Sequence, residues 1–274
     1  MSIAHPLTGS LGAEIRGIDL AHLPESEFEA VHAAFLEHHV LVFRDQKLTP
    51  EQQIAFGRRL GSLYVHPIVP HLEGYPEIVP IANYGKARSI TELWHSDVSF
   101  APEPPCASGL LAIELPPRGG DTLFTDQHLA YERLSEGMKE MLDGLRALHT
   151  GQGLANATAE STGNAATKSG SKAWQTNAQS HPVVRTHPET GRKALYVNPA
   201  FTVAFENMTI AESQPLLRFL YKAGQSPDLC FRHRWLPGDL VLWDNRSVQH
   251  YAVHDHGDAD RTMHRITICG DTPC

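Results

Sequence analysis

Residues 94–100 have the sequence WHSDVSF, which places an imidazole and a carboxylate two positions apart, at His95 and Asp97. The surrounding residues are typical of the edge of a strand. In an extended chain, side chains at positions i and i+2 point to the same face. We therefore expect His95 and Asp97 to converge on one point in space, with the apolar residues of the same stretch packed nearby.

A second histidine, His250, follows a predicted strand and completes a set of candidate metal ligands. It ends the sequence WDNRSVQH at residues 243–250. Two imidazoles and one carboxylate form the facial triad that suits Fe(II) and leaves three coordination positions open. A His-x-Asp pair alone is a weak signal, because a second pair occurs at His256 and Asp258 in a polar stretch typical of a turn. The hypothesis of an iron site therefore depends on His250.

The composition limits the classes to which this protein can belong. Of its 274 residues, 41% are hydrophobic and 20% are charged, which is typical of a globular protein, and we assign residues 1–274 to a single domain. The net charge of −8 disfavours a nucleic-acid partner, which would require cations that neutralise phosphates. No apolar run reaches the roughly 18 residues of a membrane span and no leader-like segment begins the chain, so we expect a cytoplasmic protein with no membrane partner. The four cysteines form no CxxC pair.

Helix and strand patterns are mixed along the chain, which predicts a mixed α+β fold. Helices are predicted from apolar residues three and four positions apart and from capping boxes, at residues 24–39 and 49–61 and from Thr209 onward. Strands are predicted at residues 40–43, 109–115, 121–125, 194–197, 240–243 and 264–269. Short strands separated by Pro and Gly turns favour an antiparallel barrel or sandwich with helices packed outside. The chain contains neither nucleotide-binding glycine motif, which disfavours a doubly wound fold.

Residues 151–180 differ in composition from the rest of the chain. They are rich in Gly, Ala, Ser, Thr and Asn, with Leu154 and Trp174 as the only large apolar residues, so they can bury little area. Strand-like segments lie on both sides, which favours an insertion over a linker between domains. An active-site lid and an inert insertion are both compatible with this composition.

Seven stretches of the sequence resemble the taurine dioxygenase family (TauD/TfdA-like), which also includes alkylsulfatase-type and aryloxyalkanoate dioxygenases. In chain order they are GAEIRGIDL (12–20), HPIVPHLEGYPEI (66–78), WHSDVSF (94–100), LPPRGGDTLFTD (115–126), HPVVRTHPETGRKALYVN (181–198), WLPGDLVLWDNRSVQHYA (235–252) and RTMHRITICGD (261–271). The resemblance implies a double-stranded β-helix, or jelly-roll, core with helices packed outside and a long lid insertion. It also implies an oxidoreductase that uses Fe(II), 2-oxoglutarate and O2.

The same resemblance assigns residues to the metal and the co-substrate. It makes His95, Asp97 and His250 the iron ligands and implies no further catalytic residue. Thr122 and Arg261 match the family pair that holds the distal carboxylate of 2-oxoglutarate. Their chemistry agrees, because a guanidinium fork and a hydroxyl can fix a carboxylate through charge-assisted hydrogen bonds.

Other matching positions concern the primary substrate. His66 and Arg265 match residues that contact the anionic group of the substrate, and Phe201 matches an aromatic wall of the same pocket. The taurine enzyme has a Tyr and an Asn where this chain has Val69 and Thr91, so two polar contacts to a small amino sulfonate are missing. The resemblance therefore predicts a less polar substrate that still carries an anion.

The predicted reaction is Fe(II)- and 2-oxoglutarate-dependent hydroxylation of a small anionic organic substrate, with release of succinate and CO2. The substrate would carry a sulfonate, a sulfate ester or a carboxylate. Oxidation of an aryloxyalkanoate or an N-carboxyalkyl amino acid by the same iron chemistry is an alternative. A zinc hydrolase would use the same three ligands to activate water but would not need Thr122 and Arg261. A non-catalytic jelly-roll binding protein would need no ligands. The sequence is compatible with a homo-oligomer.

Overall fold

The structure is a computed structural model that describes residues 3–66, 69–82, 92–152 and 177–274. Within these residues the α-helices are α1 (Glu25–His38), α2 (Pro50–Leu60), α3 (Gln127–Glu132), α4 (Glu136–Leu142) and α5 (Ile210–Gly224). The strands of the same part are β1 (Ala4–Pro6), β2 (Ala13–Ile15), β3 (Val40–Phe43), β4 (Val79–Ala82), β5 (Ala107–Glu114), β6 (Thr122–Asp126), β7 (Arg146–His149), β8 (Gln179–Pro182), β9 (Val184–Thr186), β10 (Lys193–Leu195), β11 (Thr202–Phe205), β12 (Cys230–His233), β13 (Leu240–Asp244), β14 (Val248–Ala252) and β15 (Thr262–Ile268). The predicted helices and strands are confirmed, with strand ends displaced by at most two residues, except for the strand edge predicted at residues 94–100, which is described below.

Two sheets, antiparallel except for one strand pair, form the centre of the protein. The major sheet has the strand order β1-β2-β3-β13-β5-β15-β4, in which the pair β2–β3 is parallel and the other pairs are antiparallel. The minor sheet has the order β12-β6-β14, with both pairs antiparallel. A mixed α and β architecture with a large antiparallel sheet is therefore confirmed.

Strand alternation explains how these two sheets share a core. Because side chains alternate between faces, every second residue of a strand points to the other sheet. In the major sheet Val241 and Trp243 of β13 point inward, and they pack in one cluster with Phe124 of β6, Phe231 of β12 and Val248 of β14 from the minor sheet. This apolar cluster holds the sheets together and supports the strands that carry the site.

The outer face of the major sheet is covered by α1 and α2. Leu240 and Leu242, the alternate residues of β13, pack there with Phe35 of α1 and Phe56 of α2. Helix α2 begins at a capping box in which the Thr49 hydroxyl accepts from the backbone N–H of residue 52, and it is followed by Gly61 as the sequence predicts.

A third sheet, β11-β7-β8, packs with α3, α4 and α5 around a separate apolar cluster. Helix α5 begins at the predicted capping box, where Thr209 caps the backbone N–H of Glu212. This part of the protein carries Phe201, which directly precedes β11 and is buried beside the candidate site.

The predicted lid lies mostly outside the described residues, because residues 153–176 of the segment 151–180 are among those not described. A lid role for this segment stays a prediction. Among the described residues, no helix has both the length and the apolar character needed to cross a membrane.

Candidate metal and co-substrate site

A backbone pairing brings the two histidines together. The amide N–H of His95 donates to the carbonyl of His250 (3.1 Å), and the amide of His250 donates to the carbonyl of His95 (2.8 Å). Their imidazole centroids consequently lie 4.1 Å apart. The Oδ1 atom of Asp97 is 3.8 Å from the Nε2 atom of each ring. The predicted convergence of these side chains is confirmed.

The local structure after His95 differs from the predicted strand. Only His95 forms a β-bridge, and a turn follows over residues 97–100, in which Val98 has a φ of 51°. The amide of Ala101 closes this turn by donating to the carbonyl of Val98 (2.9 Å). A positive φ is unfavourable for a β-branched residue, so surrounding contacts must enforce the turn. The strand prediction is therefore wrong beyond His95, although Asp97 still faces the histidines.

These side chains satisfy the requirements of a metal site. Among the described residues, His95, Asp97 and His250 form the one group of three such side chains whose ligand atoms lie within 4.8 Å of one another, and all three are buried. Two nitrogens and one carboxylate oxygen on one side of a point leave the opposite side open, which matches the facial arrangement typical of non-haem Fe(II). The donor set therefore fits iron.

The protonation states also suit metal binding. Burial lowers the pKa of His250 to about 3 and outweighs the opposing charge of Asp97, and burial likewise lowers the pKa of His95. Burial disfavours the charged form of Asp97, but Arg265 and the two imidazoles outweigh it and lower the pKa of this carboxyl. The result is two neutral imidazoles and one carboxylate, the forms that bind a metal ion.

Different contacts orient the two rings. The Nδ1 atom of His95 lies 2.7 Å from the carbonyl oxygen of Leu93, which can only accept, so Nδ1 carries the proton and Nε2 presents its lone pair to the site. The ring of His250 packs against Trp243 and Phe124, at centroid distances of 4.8 and 6.2 Å. Its Nδ1 atom has no hydrogen-bond partner within the described part of the chain.

Thr122 of β6 and Arg261, which directly precedes β15, both contact Trp235. The indole N–H of Trp235 donates to the Thr122 hydroxyl (3.0 Å), and the Arg261 guanidinium carbon lies 5.8 Å from the centroid of the Trp235 ring. Arg261 is only 4% exposed, and no described residue accepts a hydrogen bond from its Nε atom. Burial lowers the pKa of Arg261 to about 10, partly opposed by Asp121.

A glycine makes room for this arginine. A Cβ atom on Gly120 would lie 3.2 Å from Cδ and 3.3 Å from Nε of Arg261, and Gly120 has a φ of 72°. A larger residue would therefore press on the guanidinium and strain the backbone. A buried cation with an unpartnered donor fits an anionic co-substrate, because a buried charge needs a counter-charge.

Two of the residues predicted to contact the primary substrate, Arg265 and His66, interact with the Asp97 carboxylate. Arg265 donates from Nη1 to Asp97 Oδ1 (3.3 Å), and its Nε atom is buried without a partner among the described residues. Burial lowers the pKa of His66 to about 4, as does the charge of Arg265, and the charge of Asp97 only partly opposes them. The Nδ1 atom of His66 accepts a hydrogen bond from the amide of Val69 (2.9 Å). Thr91 lies outside the described residues.

Phe201 forms one apolar wall of the site. Its ring meets the His95 ring edge-on at a centroid distance of 6.0 Å and the Phe100 ring at 4.9 Å. Val98 and Ala101 belong to the same buried cluster. The wall is thus formed by the turn that follows the ligands and by the segment before β11.

Sequence reasoning missed two polar residues that hold Asp97. Ser108 of β5 donates to Asp97 Oδ2 (2.7 Å), and the Asn245 side chain hydrogen-bonds to both the amide and the carbonyl of Asp97. A signal for Ser108 was present, because it shares the inward face of β5 with the apolar residues Leu110 and Ala112. A polar residue on an otherwise apolar face indicates a buried partner.

The convergent ligand group and the buried Arg261 are together typical of a metal-dependent enzyme. Residues 4–267 match the family described as taurine catabolism dioxygenase TauD, TfdA family. The chain belongs to this family. It is therefore an oxidoreductase of the class that uses Fe(II), 2-oxoglutarate and dioxygen. The ligand group and the relatives described below agree with this class.

Similar proteins extend over nearly the whole chain. A protein named Alkylsulfatase from Acinetobacter baylyi is 38% identical over 97% of this chain and 84% of its own length. An alpha-ketoglutarate-dependent sulfate ester dioxygenase from Pseudomonas putida is 34% identical over 98% of this chain and 90% of its own length. The crystal structure of a taurine dioxygenase from Burkholderia xenovorans superposes with a TM-score of 0.85 at 36% identity, covering 100% of this chain and 93% of that one.

Proposed function

We propose that the protein hydroxylates a C–H bond of a small organic anion and couples this step to the conversion of 2-oxoglutarate and O2 into succinate and CO2. One observation carries the proposal: a convergent ligand triad occurs in the same protein as Arg261, a buried arginine with a donor that has no partner among the described residues. A metal site that only activated water would not need that arginine.

His95, Asp97 and His250 are the proposed iron ligands. Their buried, neutral imidazoles and ionised carboxylate need no proton transfer before metal binding. When bound, iron and 2-oxoglutarate supply the oxidising chemistry for an unactivated C–H bond. The protein holds the reactants in place, and the apolar wall around Phe201 excludes bulk water from them.

Arg261 and Thr122 are the proposed anchors of the distal carboxylate of 2-oxoglutarate. The unpartnered Nε donor of Arg261 supports this role. Trp235 supports it as well, because its indole N–H occupies one lone pair of the Thr122 oxygen and leaves the hydroxyl proton free to be donated to a carboxylate.

Arg265 and His66 are the proposed contacts to the anionic group of the primary substrate. Arg265 is close to Asp97 and has a buried, unpartnered Nε donor. Val69 and Phe201 would supply apolar wall, which favours a longer apolar body than that of taurine. Thr91, for which the structure describes no position, stays a predicted neighbour of this pocket.

A sulfate ester is the substrate class that fits these features best, and the name of the Pseudomonas putida relative points the same way. Hydroxylation of the carbon that bears the sulfate gives a product that collapses to an aldehyde and free sulfate. One oxygen atom of O2 enters this product and the other enters succinate. Sulfonates and carboxylates share the anionic group and are the alternatives for the same pocket.

We also propose that the two facing sheets are the halves of a double-stranded β-helix, or jelly roll, within a single domain. Support comes from the apolar cluster that residues of both sheets share. Homo-oligomer formation and a cytoplasmic location stay predictions of the sequence.

The proposed function is tested by measuring succinate formation with Fe(II) and 2-oxoglutarate in the presence of hexyl sulfate, hexanesulfonate or hexanoate. Each compound is compared with an uncharged compound of the same length, in the wild type and in Arg265→Gln. Arg58→Gln is the control, because Arg58 lies on the exposed side of α2 and pairs with Glu77. We expect succinate formation to depend on the anionic group and on Arg265 but not on Arg58.

Two results would contradict the proposal. Equal turnover of charged and uncharged compounds by the wild type would make Arg265 a structural residue. Release of sulfate without any consumption of 2-oxoglutarate would identify a hydrolase instead.

A further inference from the structure

The two oxygens of the Asp97 carboxylate have different surroundings. Oδ1 faces the site, 3.8 Å from the Nε2 atoms of both His95 and His250. Oδ2 points away from them and accepts a hydrogen bond from the hydroxyl of Ser108 at 2.7 Å. Ser108 is fully buried on the inward face of β5. The hydroxyl therefore distinguishes one carboxylate oxygen from the other.

The backbone of Asp97 is held independently of its side chain. Its amide donates to Asn245 Oδ1 (2.6 Å), and Asn245 Nδ2 donates to the carbonyl oxygens of Asp97 (2.9 Å) and Pro105 (2.9 Å). These bonds fix the position of the Asp97 backbone at the end of β13. What remains free is rotation of the carboxyl group, and the hydroxyl of Ser108 restrains that rotation.

We propose that Ser108 is a positioning residue that keeps Asp97 a one-oxygen ligand of the metal. Carboxylates bind metal ions through one oxygen or through both. A second oxygen from Asp97 would occupy one of the three positions that a facial triad leaves open. Two of those positions are needed for the chelating end of 2-oxoglutarate, and the third is needed for O2. The inference rests on the proposed function, because only a reaction with these co-substrates requires all three positions.

The packing of β5 does not itself require a hydroxyl at this position. Leu110 and Ala112 on the same face are apolar and belong to the cluster between the sheets. Alanine at position 108 would keep the strand and its neighbours and would remove only the donor. The charge of Asp97 would still be countered by Arg265, which donates to Oδ1. Loss of the hydroxyl thus acts chiefly on Oδ2.

The test separates metal binding from co-substrate binding. The affinity of the metal-free protein for Mn²⁺ and the affinity of the Mn²⁺-loaded protein for 2-oxoglutarate are measured in the wild type, Ser108→Ala and Ser108→Thr. Ser213→Ala is the matched control, because the Ser213 hydroxyl is also fully buried but donates to the carbonyl of Thr209 (2.9 Å).

We expect Ser108→Ala to bind Mn²⁺ at least as tightly as the wild type and to bind 2-oxoglutarate about 10-fold more weakly, an effect the size of the smallest losses of metal affinity or activity typical of outer partners of metal ligands. The reason is that a freed Oδ2 competes with 2-oxoglutarate for a coordination position. Ser108→Thr keeps the hydroxyl and should retain the wild-type affinity for 2-oxoglutarate. Ser213→Ala should change neither affinity.

Two outcomes would overturn this role of Ser108. Unchanged 2-oxoglutarate affinity in Ser108→Ala would show that the hydroxyl does not restrain Asp97, and equal weakening of Mn²⁺ and 2-oxoglutarate binding would indicate a purely structural role. If Ser108→Ala does not fold, Ser108→Cys, which is close in size and a weak donor, is judged by the same criteria. Failure of the wild type itself to bind 2-oxoglutarate in a metal-dependent way would instead overturn the proposed function.

Discussion

Two buried carboxylates, Asp97 and Asp244, have different hydrogen-bond partners. They lie close together, because Asn245 follows Asp244 in the chain and its side chain hydrogen-bonds to the backbone of Asp97. Both oxygens of Asp244 are fully engaged. Oδ1 accepts from the backbone amide and Nε of Arg246 (2.9 Å each), and Oδ2 accepts from Nη2 of Arg246 (2.7 Å) and Nε2 of His187 (2.9 Å). No further donor is needed to stabilise this charge.

Asp97 is equally buried but only partly engaged. Ser108 saturates Oδ2, whereas Oδ1 has a long contact with Arg265 (3.3 Å) and faces two imidazoles at 3.8 Å, beyond hydrogen-bond distance. Burial opposes ionisation of both carboxyls, and in both it is outweighed by cationic and hydrogen-bonded neighbours, so that each pKa is lowered. The two carboxylates differ in their contacts, because Oδ1 of Asp97 has room for a bound cation and the oxygens of Asp244 do not.

Two buried arginines, Arg246 and Arg261, differ in the same way as the two carboxylates. Arg246 binds Asp244 and Glu189, whereas Arg261 is buried with a free Nε donor among the described residues. Buried polar groups are normally paired, so a group left incomplete indicates a ligand that the protein binds. In these two pairs of residues, the fully hydrogen-bonded Asp244 and Arg246 stabilise the fold, whereas the partly bonded Asp97 and Arg261 lie at the candidate site.

The largest expected effect comes from Asp97→Asn. It removes the anionic ligand while preserving the shape of the side chain. Succinate formation coupled to the primary substrate should fall by more than about 100-fold, beyond the range typical of outer partners of metal ligands. The free energy of unfolding of the metal-free protein should change less than it does in Asp244→Asn. Wild-type turnover by this variant would exclude Asp97 as a required ligand.

Asp244→Asn should show the opposite pattern. Breaking a buried ion pair typically costs about 3–5 kcal/mol, because a charged partner remains without its counter-charge. Arg246 keeps Glu189 (2.7 Å), so we expect a loss at the lower end, about 3 kcal/mol in the free energy of urea-induced unfolding. The affinity for 2-oxoglutarate should stay close to the wild-type value. A variant that stayed stable but lost 2-oxoglutarate binding would show that Asp244 belongs to the site and would contradict its structural role.

Arg261→Lys tests the unsaturated arginine. Lysine keeps the charge but loses the planar fork, so one or more charge-assisted hydrogen bonds to 2-oxoglutarate should be lost. At roughly 1.5–3 kcal/mol per such bond, the apparent KM for 2-oxoglutarate should rise about 10- to 100-fold. Steady-state kinetics with varied 2-oxoglutarate measure this, with Arg58→Lys as the exposed control. An unchanged KM would remove Arg261 from the co-substrate site.

The comparison also explains what could be predicted from the sequence. Periodicity and capping residues were sufficient for the helices at 25–38 and 50–60, because these signals are local. A two-residue spacing and a later histidine indicated a plausible iron site, and the resemblance to the family assigned the three ligands. The alternation of β5 indicates that Ser108 has a buried partner, but it does not show that this partner is Asp97, because that contact depends on tertiary structure. The turn at Val98 could not be predicted, because tertiary contacts impose a positive φ on a β-branched residue.

The smallest expected effect concerns the pH dependence of stability near the saturated network. Burial lowers the pKa of His128 to about 4, below the ordinary value of about 6.5 that it has in the unfolded chain. The unfolded state therefore binds more protons between these values, so stability is full above pH 6.5 and falls as the pH decreases toward 4. His128 should account for somewhat less than 1 kcal/mol of the loss between pH 7 and pH 6.

His128→Gln can check this, because an amide N–H can replace the Nδ1 donor to the Lys193 carbonyl (2.9 Å) without titrating. The free energy of unfolding, measured by urea denaturation at pH 7 and pH 6, should change less with pH in the variant than in the wild type. An identical change with pH in both proteins would show that His128 is not held neutral by the fold.

The most direct test of the site is a crystal structure of the protein with Mn²⁺ and N-oxalylglycine, a non-reactive analogue of 2-oxoglutarate. We predict one metal ion that is coordinated by Nε2 of His95, Nε2 of His250 and Oδ1 of Asp97. The distal carboxylate of the analogue should accept hydrogen bonds from Arg261 and Thr122. A metal ion bound elsewhere, or an analogue whose distal carboxylate contacts neither Arg261 nor Thr122, would contradict the account.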